Sequence, residues 1–325
     1  MISIGLHDPK KELNLGSYRI YINDLNYYFT QNNINSKIGD ETSDVLIYSK
    51  SSFPKKIYGK LIGTVNPNSD DIKKLKSCDF AIVGSVEEKE SIISHIRNVF
   101  VFPQIEKMYM NVTPKVHLEK DEIVIGYHGN PNHLNHLDLG LTNALSRLYK
   151  THKIKLLVIK SSISPISDWI GEKPNIPIEY VDWELSTISN NIKRFDIGIV
   201  PNICQYKNGN FKDQNIKTGI YGTDINIRFK NKSNIGRSLV LIQHGIPVVA
   251  DITPCNMSLF ANPDNGYAVL TEEGWYNALL DLCDYNKRNQ ISQNAFNEYK
   301  LQYDPLKWSY KLYKNIEKLY YERFN

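Results

Sequence analysis

"FKNKSNIGRSLVLIQHGIPVVADITP", residues 229–254, changes character three times within a few turns of chain. A basic entry leads into a short apolar stretch, which stops at Gly245 and resumes as a β-branched run. The spacing predicts a helix of about three turns over 235–244. Ser233 or Asn234 is the expected N-cap, and Gly245 stands where a left-handed residue ends a helix. The stretch is therefore interpreted as helix, tight turn and buried strand, the repeating unit of α/β proteins.

The same alternation extends along most of the chain. Strand-like runs in the first third are "MISIGL", "DVLIYS", "DFAIVGS" and "NVFVFP", with helix-like "YRIYINDLNYYFTQNN" and "VEEKESIISHI" between them. Residues 103–121 hold two prolines and no clean period, which is typical of a linker. Six further strand-like runs follow: "EIVIGYHG", "KIKLLVIKSS", "IPIEYVDW", "DIGIVP", "IPVVAD" and "GYAVL". The pattern predicts two doubly wound α/β units joined by that linker.

Bulk composition agrees with two globular cores. The chain has 325 residues, of which 41% are hydrophobic and 23% charged, and its net charge of +4 is divided evenly about residue 115. Neither part has the concentrated basic field of a duplex-binding domain, so no nucleic-acid partner is expected. No secretion signal or membrane-spanning run stands out, which favours a cytoplasmic location. The four cysteines lack the spacing of a zinc site or disulfide framework.

Two segments need separate interpretation. Residues 202–231 are polar and too long for a simple turn, which suggests a functional loop. Near the end, Trp308, Leu312, Ile316 and Leu319 or Tyr320 form an apolar stripe at helical spacing, with lysines elsewhere on the helix. Packing of this stripe on a neighbouring domain is the preferred interpretation, and peripheral contact with an anionic membrane surface is the alternative.

The start of the 235–244 helix has the chemistry of an anion site. Lys232 and Arg237 are cations there, and Gly236 lets another group come close to backbone N–H donors. These donors, the helix dipole and the two cations together suit a phosphate or diphosphate. The alternative is that both cations are solvated and the helix is only scaffold.

Two glycine turns provide further candidates. "GYHGNPN" (126–132) follows a predicted strand, so His128 and Asn130 are expected at the carboxyl edge of the sheet, where open α/β folds bind ligands. In the first unit, Gly16 and Ser17 are expected to form a turn and cap before a helix. No dinucleotide fingerprint, Walker loop, nucleophile elbow or H-E-x-x-H motif is present.

A family resemblance emerges from these residues. The run "SNIGRSLVLIQHGIPVVADITPCNMSLF", preceded by "VDWELSTISNNIKRFDIGIVPN" and followed by "NGYAVLTEEGWYNALL", resembles the C-terminal domain of GT-B glycosyltransferases of the family 4 type. "DFAIVGSVEEKESI" and "GSYRIYI" are similar to the corresponding N-domain segments. The resemblance weakens between residues 30 and 75 and again in 202–231.

The resemblance implies an α/β fold of two facing Rossmann-like domains. It places an N-terminal acceptor-binding domain at 1–115, a C-terminal nucleotide-sugar-binding domain at 116–305, and a helix returning to the N-terminal domain at 306–325. It implies transfer of a sugar from a nucleoside diphosphate sugar to a glycan or lipid-linked acceptor, with retention and with no metal or other cofactor. The implied site residues are catalytic Lys232, Arg237 and His128, donor-binding Gly129, Asn130, Lys160, Ser233, Asn234 and Gly236, and acceptor-side Gly16, Ser17, Tyr18 and Arg19.

One departure from the family pattern keeps other functions open. The two glutamates that many members place before the "G-x-P-V-V" turn fall at Lys232 and Val240, so the usual ribose-binding carboxylate is missing. A non-catalytic nucleotide-sugar or glycan-binding module is therefore one alternative. A sugar-nucleotide epimerase on the same architecture is another.

Overall fold

The structure, a computed structural model, describes residues 2–52, 56–67, 72–129, 133–134, 140–160, 173–202 and 234–324. These residues form two α/β units, each built on a six-stranded parallel sheet. Within the described residues, no helix combines the length and the apolar character needed to span a bilayer.

The first sheet contains the strands predicted in the first third of the chain and two that were not predicted. Its members are β1 (Ile4–His7), β2 (Ser36–Ile38), β3 (Val45–Tyr48), β4 (Leu61–Val65), β5 (Phe80–Val83) and β6 (Val99–Val101). They lie in the order β2-β1-β3-β4-β5-β6. The order reverses beside β1, so the carboxyl ends of β1 and β3 flank the crevice in which such sheets bind ligands.

The helices of the first unit are short and begin with an irregular segment. They are α1 (Gly16–Tyr18), α2 (Leu25–Gln31), α3 (Ile72–Lys76) and α4 (Val86–Ile92), with a π-helical segment at Arg19–Asp24 between the first two. Ser85 caps α4, because its hydroxyl accepts the Glu88 N–H at 3.1 Å. Gly16 and Ser17 do not cap a helix as predicted. They lie within α1, whose N-cap is Leu15 and whose start has no side-chain cap.

The second sheet follows after a connection that contains a 3-10 turn at Lys107–Tyr109. Its strands are β7 (Ile123–His128), β8 (Ile154–Lys160), β9 (Ile178–Asp182), β10 (Ile197–Val200), β11 (Val248–Asp251) and β12 (Tyr267–Val269). All six coincide with predicted runs, and they lie in the order β12-β11-β10-β7-β8-β9. The order reverses between β7 and β10, which places a second crevice at their carboxyl ends.

Seven helices of the second half complete the described fold: α5 (Leu141–Leu148), α6 (Ile188–Ile192), α7 (Gly236–Gln243), α8 (Pro254–Leu259), α9 (Glu272–Asp281), α10 (Tyr285–Gln302) and α11 (Pro305–Phe324). Helix α5 begins directly after Gly140, whose φ is +106°. Gly245 has φ +70° and ends α7 as predicted. A Cβ there would lie 2.7 Å from the Lys115 backbone nitrogen, so glycine lets the connection pack against this turn.

The terminal helix α11 returns to the first unit. Leu312, Tyr313 and Ile316 are buried in the same core cluster as the strands and helices of that unit. The Asn32 side-chain amide donates to the Leu306 carbonyl and to the Ser309 hydroxyl, each at 2.9 Å. The predicted fold class, two Rossmann-like units with a returning C-terminal helix, is therefore confirmed. The domain limits at 115 and 305 remain predictions.

Candidate functional site

The candidate site lies at the carboxyl edge of the second sheet, where the strand order reverses. His128 ends β7, Asn202 follows β10, and α7 begins at Gly236 beside them. These three segments are far apart in the sequence, and the adjacency of β7 and β10 brings them together. Of the predicted site residues, Lys232, Ser233 and Asn130 lie outside the described residues, as does nearly all of the 202–231 loop.

Arg237 is the centre of this site. Its Nη1 donates to the Tyr127 hydroxyl at 3.1 Å, and its Nη2 donates to the Pro201 carbonyl at 3.2 Å and to Asn202 Oδ1. All three partners are neutral, and no described carboxylate lies within ion-pair distance of the guanidinium. The side chain is half-buried. The arrangement fixes an oriented cation without neutralising its charge, which suits the binding of an anion.

Gly129 makes room for this cation. Its φ is +132°, and a Cβ built on it would lie 3.1 Å from Arg237 Cδ and 3.3 Å from the Tyr127 hydroxyl. A side chain at this position would therefore be strained and would press on both the arginine and its partner. Gly129, predicted as a donor contact, is in the structure a residue whose small size places Arg237.

His128 has a different environment from the one predicted. It is only 9% exposed, and its Nε2 lies 3.2 Å from the Arg237 carbonyl, to which it donates as a neutral ring. Burial lowers the pKa of His128 to about 3, opposed by the bond to Arg237. A neutral buried imidazole ties the end of β7 to the start of α7. The ring of His128 therefore packs against the start of α7, and its predicted catalytic contact stays a prediction.

The start of α7 is also more crowded than predicted. Asn234 Oδ1 accepts the Gly236 N–H at 3.1 Å, although Ile235 occupies the N-cap position and bonds through no side chain. A Cβ on Gly236 would lie 2.9 Å from Gln104 Oε1. Glycine is therefore needed at position 236, because the side chain of Gln104, from the connection between the two sheets, packs closely against it. The donor contacts predicted for Asn234 and Gly236 stay predictions.

Lys160 lies on the same edge of the sheet as Arg237. It ends β8, and its Nζ is 3.8 Å from Asp182 Oδ1, with 25% of the side chain exposed. Such a partly exposed pair adds little stability, so the ammonium can exchange its partner. Its predicted donor contact stays a prediction.

Of the predicted acceptor-side residues, Arg19 lies where the two units meet. Tyr18 and Arg19 are buried, and Arg19 makes an ion pair with Glu106 at 2.8 Å and donates to the Leu13 carbonyl at 2.7 Å. Its guanidinium also lies 5.3 Å from the centre of the Trp183 ring in the second unit. Arg19 is thus a paired cation that joins the units, whereas substrate contacts of Gly16 and Ser17 remain predictions.

The sequence did not predict Tyr127 and Asn202 in this region, or Asp8 at the first sheet. Tyr127 and Asn202 hold Arg237, and the only available signal was their place at the ends of predicted strands. Asp8 lies at the carboxyl edge of the first sheet, because it directly follows β1. It is 6% exposed and accepts the Lys10 N–H at 2.8 Å. Its strand-end position within "LHDP" was visible in the sequence.

Solved structures share the fold of this chain. The chain aligns with Anabaena Alr3699/HepE in complex with UDP and glucose, over 98% of this chain and 100% of that one, at 10% identity and a TM-score of 0.61. Sucrose-phosphate synthase from Thermosynechococcus elongatus aligns over 99% and 100%, at 9% identity and a TM-score of 0.63. The chain has the GT-B fold. No protein-family model and no curated protein sequence matches it.

A third relative of the GT-B fold is longer than this chain. TarM of S. aureus, in a complex with fondaparinux, alpha-GlcNAc-glycerol and UDP, aligns over 85% of this chain and 55% of its own length, at 14% identity and a TM-score of 0.59. The chain therefore spans about half of TarM. The site around Arg237 lies at the carboxyl edge of the second GT-B sheet.

Proposed function

We propose that the protein is a glycosyltransferase that moves a sugar from a nucleoside diphosphate sugar to a glycan or lipid-linked acceptor. The observation that carries this proposal is Arg237, an oriented and unneutralised guanidinium at the carboxyl edge of the second sheet. The aligned HepE and TarM structures contain UDP, which supports a uridine nucleotide as the first donor to test. Synthesis of a polysaccharide or glycoconjugate in the cytoplasm is the setting that we propose.

The chemistry fits the site. As the acceptor hydroxyl oxygen bonds to the anomeric carbon, the bond from that carbon to the diphosphate oxygen breaks and its electron pair leaves with the diphosphate. The hydroxyl proton passes to an oxygen of the leaving group. Negative charge therefore grows on the diphosphate in the transition state, where Arg237 stabilises it more strongly than in the ground state. Lys232 is expected to add a second cation, and retention and metal independence are part of the proposal.

A non-catalytic sugar-nucleotide-binding module is the second candidate, and one observation favours it. Val240, at the position of the second family glutamate, is 2% exposed and packs in the core of the second unit. This position therefore provides no carboxylate to bind a ribose. Turnover separates the two candidates, because a binding module stabilised by UDP would release no UDP from a UDP-sugar.

The test is a panel of UDP- and GDP-sugars with free nucleoside diphosphate as the readout, with and without a crude glycan acceptor. A ligand at 100 times its Kd stabilises the folded protein by about 2.7 kcal/mol, so a thermal-shift screen identifies the nucleotide first. Transferase activity predicts acceptor-dependent release of the diphosphate. An epimerase would instead convert the sugar while the nucleotide stays attached.

We also propose peripheral contact with an anionic membrane, through the outer face of α11. Since α11 buries its apolar stripe in the protein, the face available for this contact carries Lys307, Lys311, Lys314 and Lys318 with Tyr310 and Tyr321. Lysine and tyrosine suit the interface of an anionic bilayer. Sedimentation with vesicles containing phosphatidylserine tests this. Binding should be lost when the four lysines are replaced by glutamine, and equal binding by that variant would reject the proposed face.

A further inference from the structure

A cavity of about 830 Å³ lies between the two units, away from the contacts of Arg237. Ser85 and Pro103, which follow β5 and β6, line one side, and Cys255 of α8 lines the other. Ile235 also lines it, and this residue directly precedes Gly236 at the start of α7. The volume is within the roughly 300–1,000 Å³ of small-molecule sites. The cavity therefore borders the start of α7, the helix that carries Arg237.

Aromatic rings and uncharged polar groups line this cavity. Tyr303 and Trp308 contribute the rings, and Gln302 and Asn265 contribute amides. The orientation of both rings is fixed: the Trp308 indole N–H donates to the Gln302 carbonyl at 2.7 Å, and Tyr303 stacks on Tyr299 with 8° between the ring planes. Flat apolar rings beside amides match a pyranose, which has a C–H face to pack on a ring and hydroxyls to hydrogen bond.

The charges around the cavity favour an uncharged ligand. Glu298 lines it and makes no ion pair among the described residues, and the described lining includes no lysine or arginine. A second carboxylate is adjacent, because Glu87 Oε1 accepts the Cys255 N–H at 3.0 Å. Lys311 lies 5.3 Å from the centre of the Trp308 ring but does not line the cavity. A phosphate or uronate would meet carboxylates without a lining cation.

We infer that this cavity binds the acceptor, and that the part of the acceptor bound there is a neutral sugar. The Glu298 carboxylate accepts hydrogen bonds from its hydroxyl groups, the Gln302 amide donates to them, and Trp308 packs against its C–H face. This inference rests on the proposed glycosyltransfer, since it names the acceptor class of that reaction. It also separates the two substrates spatially, with the donor diphosphate at Arg237 and the acceptor on the side of α8 and α10.

Ligand-observed saturation-transfer NMR on the full-length protein tests the inference without requiring turnover. The probes are glucose, galactose, N-acetylglucosamine and maltose as neutral sugars, with glucose 6-phosphate and glucuronic acid as anionic ones. We expect at least one neutral sugar to bind and the anionic sugars to bind more weakly. Glu298→Gln and Gln302→Ala should each weaken that binding about 10-fold, as expected for loss of a hydrogen bond to a sugar hydroxyl.

Asn297→Ala is the matched control, because Asn297 is on the exposed side of α10 and does not line the cavity. Its sugar affinity should equal that of wild type, and UDP affinity should be equal in all four proteins. The inference is overturned if no neutral sugar binds, if an anionic sugar binds best, or if neither variant weakens binding. Displacement of the free sugar by a UDP-sugar but not by UDP would assign the cavity to the donor and also overturn it. Failure of the proposed function is a separate result, namely that no nucleoside diphosphate binds.

Discussion

At the scale of single residues, the site depends on how three neutral groups hold one guanidinium. Arg237 was predicted from its place near a helix start, but its partners Tyr127, Pro201 and Asn202 were not. They lie on β7 and after β10, strands separated by about 70 residues that only the sheet order makes neighbours. Sequence periodicity predicts each strand but not which strands pair, so it cannot supply side-chain partners across them.

Gly129→Ala tests the space that Arg237 requires. The substitution places a Cβ at φ +132° and 3.1 Å from Arg237 Cδ, so we expect strain of about 1–3 kcal/mol and a displaced guanidinium. Donor kcat/KM should fall at least about 10-fold. Gly39→Ala is the control, since Gly39 also has positive φ but has no atom within 4 Å of its Cβ position. Equal loss of kcat/KM in both variants would show that strain alone, and not contact with Arg237, limits activity.

At the scale of elements, α7 is held at both ends by buried histidines. At the start of the helix, His128 bonds to the Arg237 carbonyl. At its end, His244 Nδ1 lies 2.7 Å from the Val240 carbonyl. Just after the helix, His117 Nε2 lies 2.8 Å from the Gly245 carbonyl. The sequence predicted the helix and its terminal glycine from local spacing. It could not predict that His117 packs there, because that contact joins the connection to a turn about 130 residues later.

These histidines predict acid sensitivity. Burial lowers the pKa of His117 and of His244 to about 4, and that of His128 to about 3, against about 6.5 in an unfolded chain. The unfolded state therefore takes up protons first as pH falls, and stability that is complete above pH 6.5 is lost between about 6.5 and 4. The free energy of unfolding, measured with urea, should be lower at pH 5 than at pH 7 by roughly 1–2 kcal/mol per histidine. A free energy of unfolding that is equal at both pH values would contradict this environment for the three rings.

The terminal helix α11 makes a second prediction at this scale. Ile316 is fully buried in the first unit's core, so Ile316→Ala should lower the free energy of unfolding by about 2–5 kcal/mol. Lys318, two residues later, has a side chain that is 75% exposed, and Lys318→Ala should change stability by less than about 0.5 kcal/mol. Chemical denaturation of both variants checks this. Similar small losses would mean that α11 is not docked on the first unit.

At the scale of the whole molecule, strand alternation predicted two α/β units and the resemblance predicted how they face each other. Strands β2 and β4 were missed because neither has a continuous apolar run: β2 is Ser-Lys-Ile, and Gly63 and Thr64 divide the apolar residues of β4. The interface between the units was also beyond the sequence, because the contacts of Arg19 with Trp183 and of Gln104 with Gly236 depend on tertiary placement. Lys232, the other predicted cation, lies outside the described residues.

Metal independence is a prediction about the whole active site. If Arg237 and its neighbours stabilise the leaving diphosphate, sugar transfer should continue at an unchanged rate in the presence of excess EDTA. The measurement is nucleoside diphosphate release after dialysis against EDTA, repeated with added Mn²⁺ and Mg²⁺. Activity that returns only with one of these ions would contradict a site whose charge comes from side chains alone.

The central claim, that Arg237 binds the diphosphate of the donor, is tested most directly by calorimetric titration of UDP and GDP into wild type, Arg237→Ala and Arg147→Ala. Arg147 is the control, an exposed arginine in the last turn of α5 that pairs with Glu273. We predict that wild type binds one of the nucleotides, that Arg237→Ala weakens its affinity about 10- to 100-fold while remaining folded, and that Arg147→Ala leaves it unchanged. Equal affinity of Arg237→Ala and wild type would contradict the account.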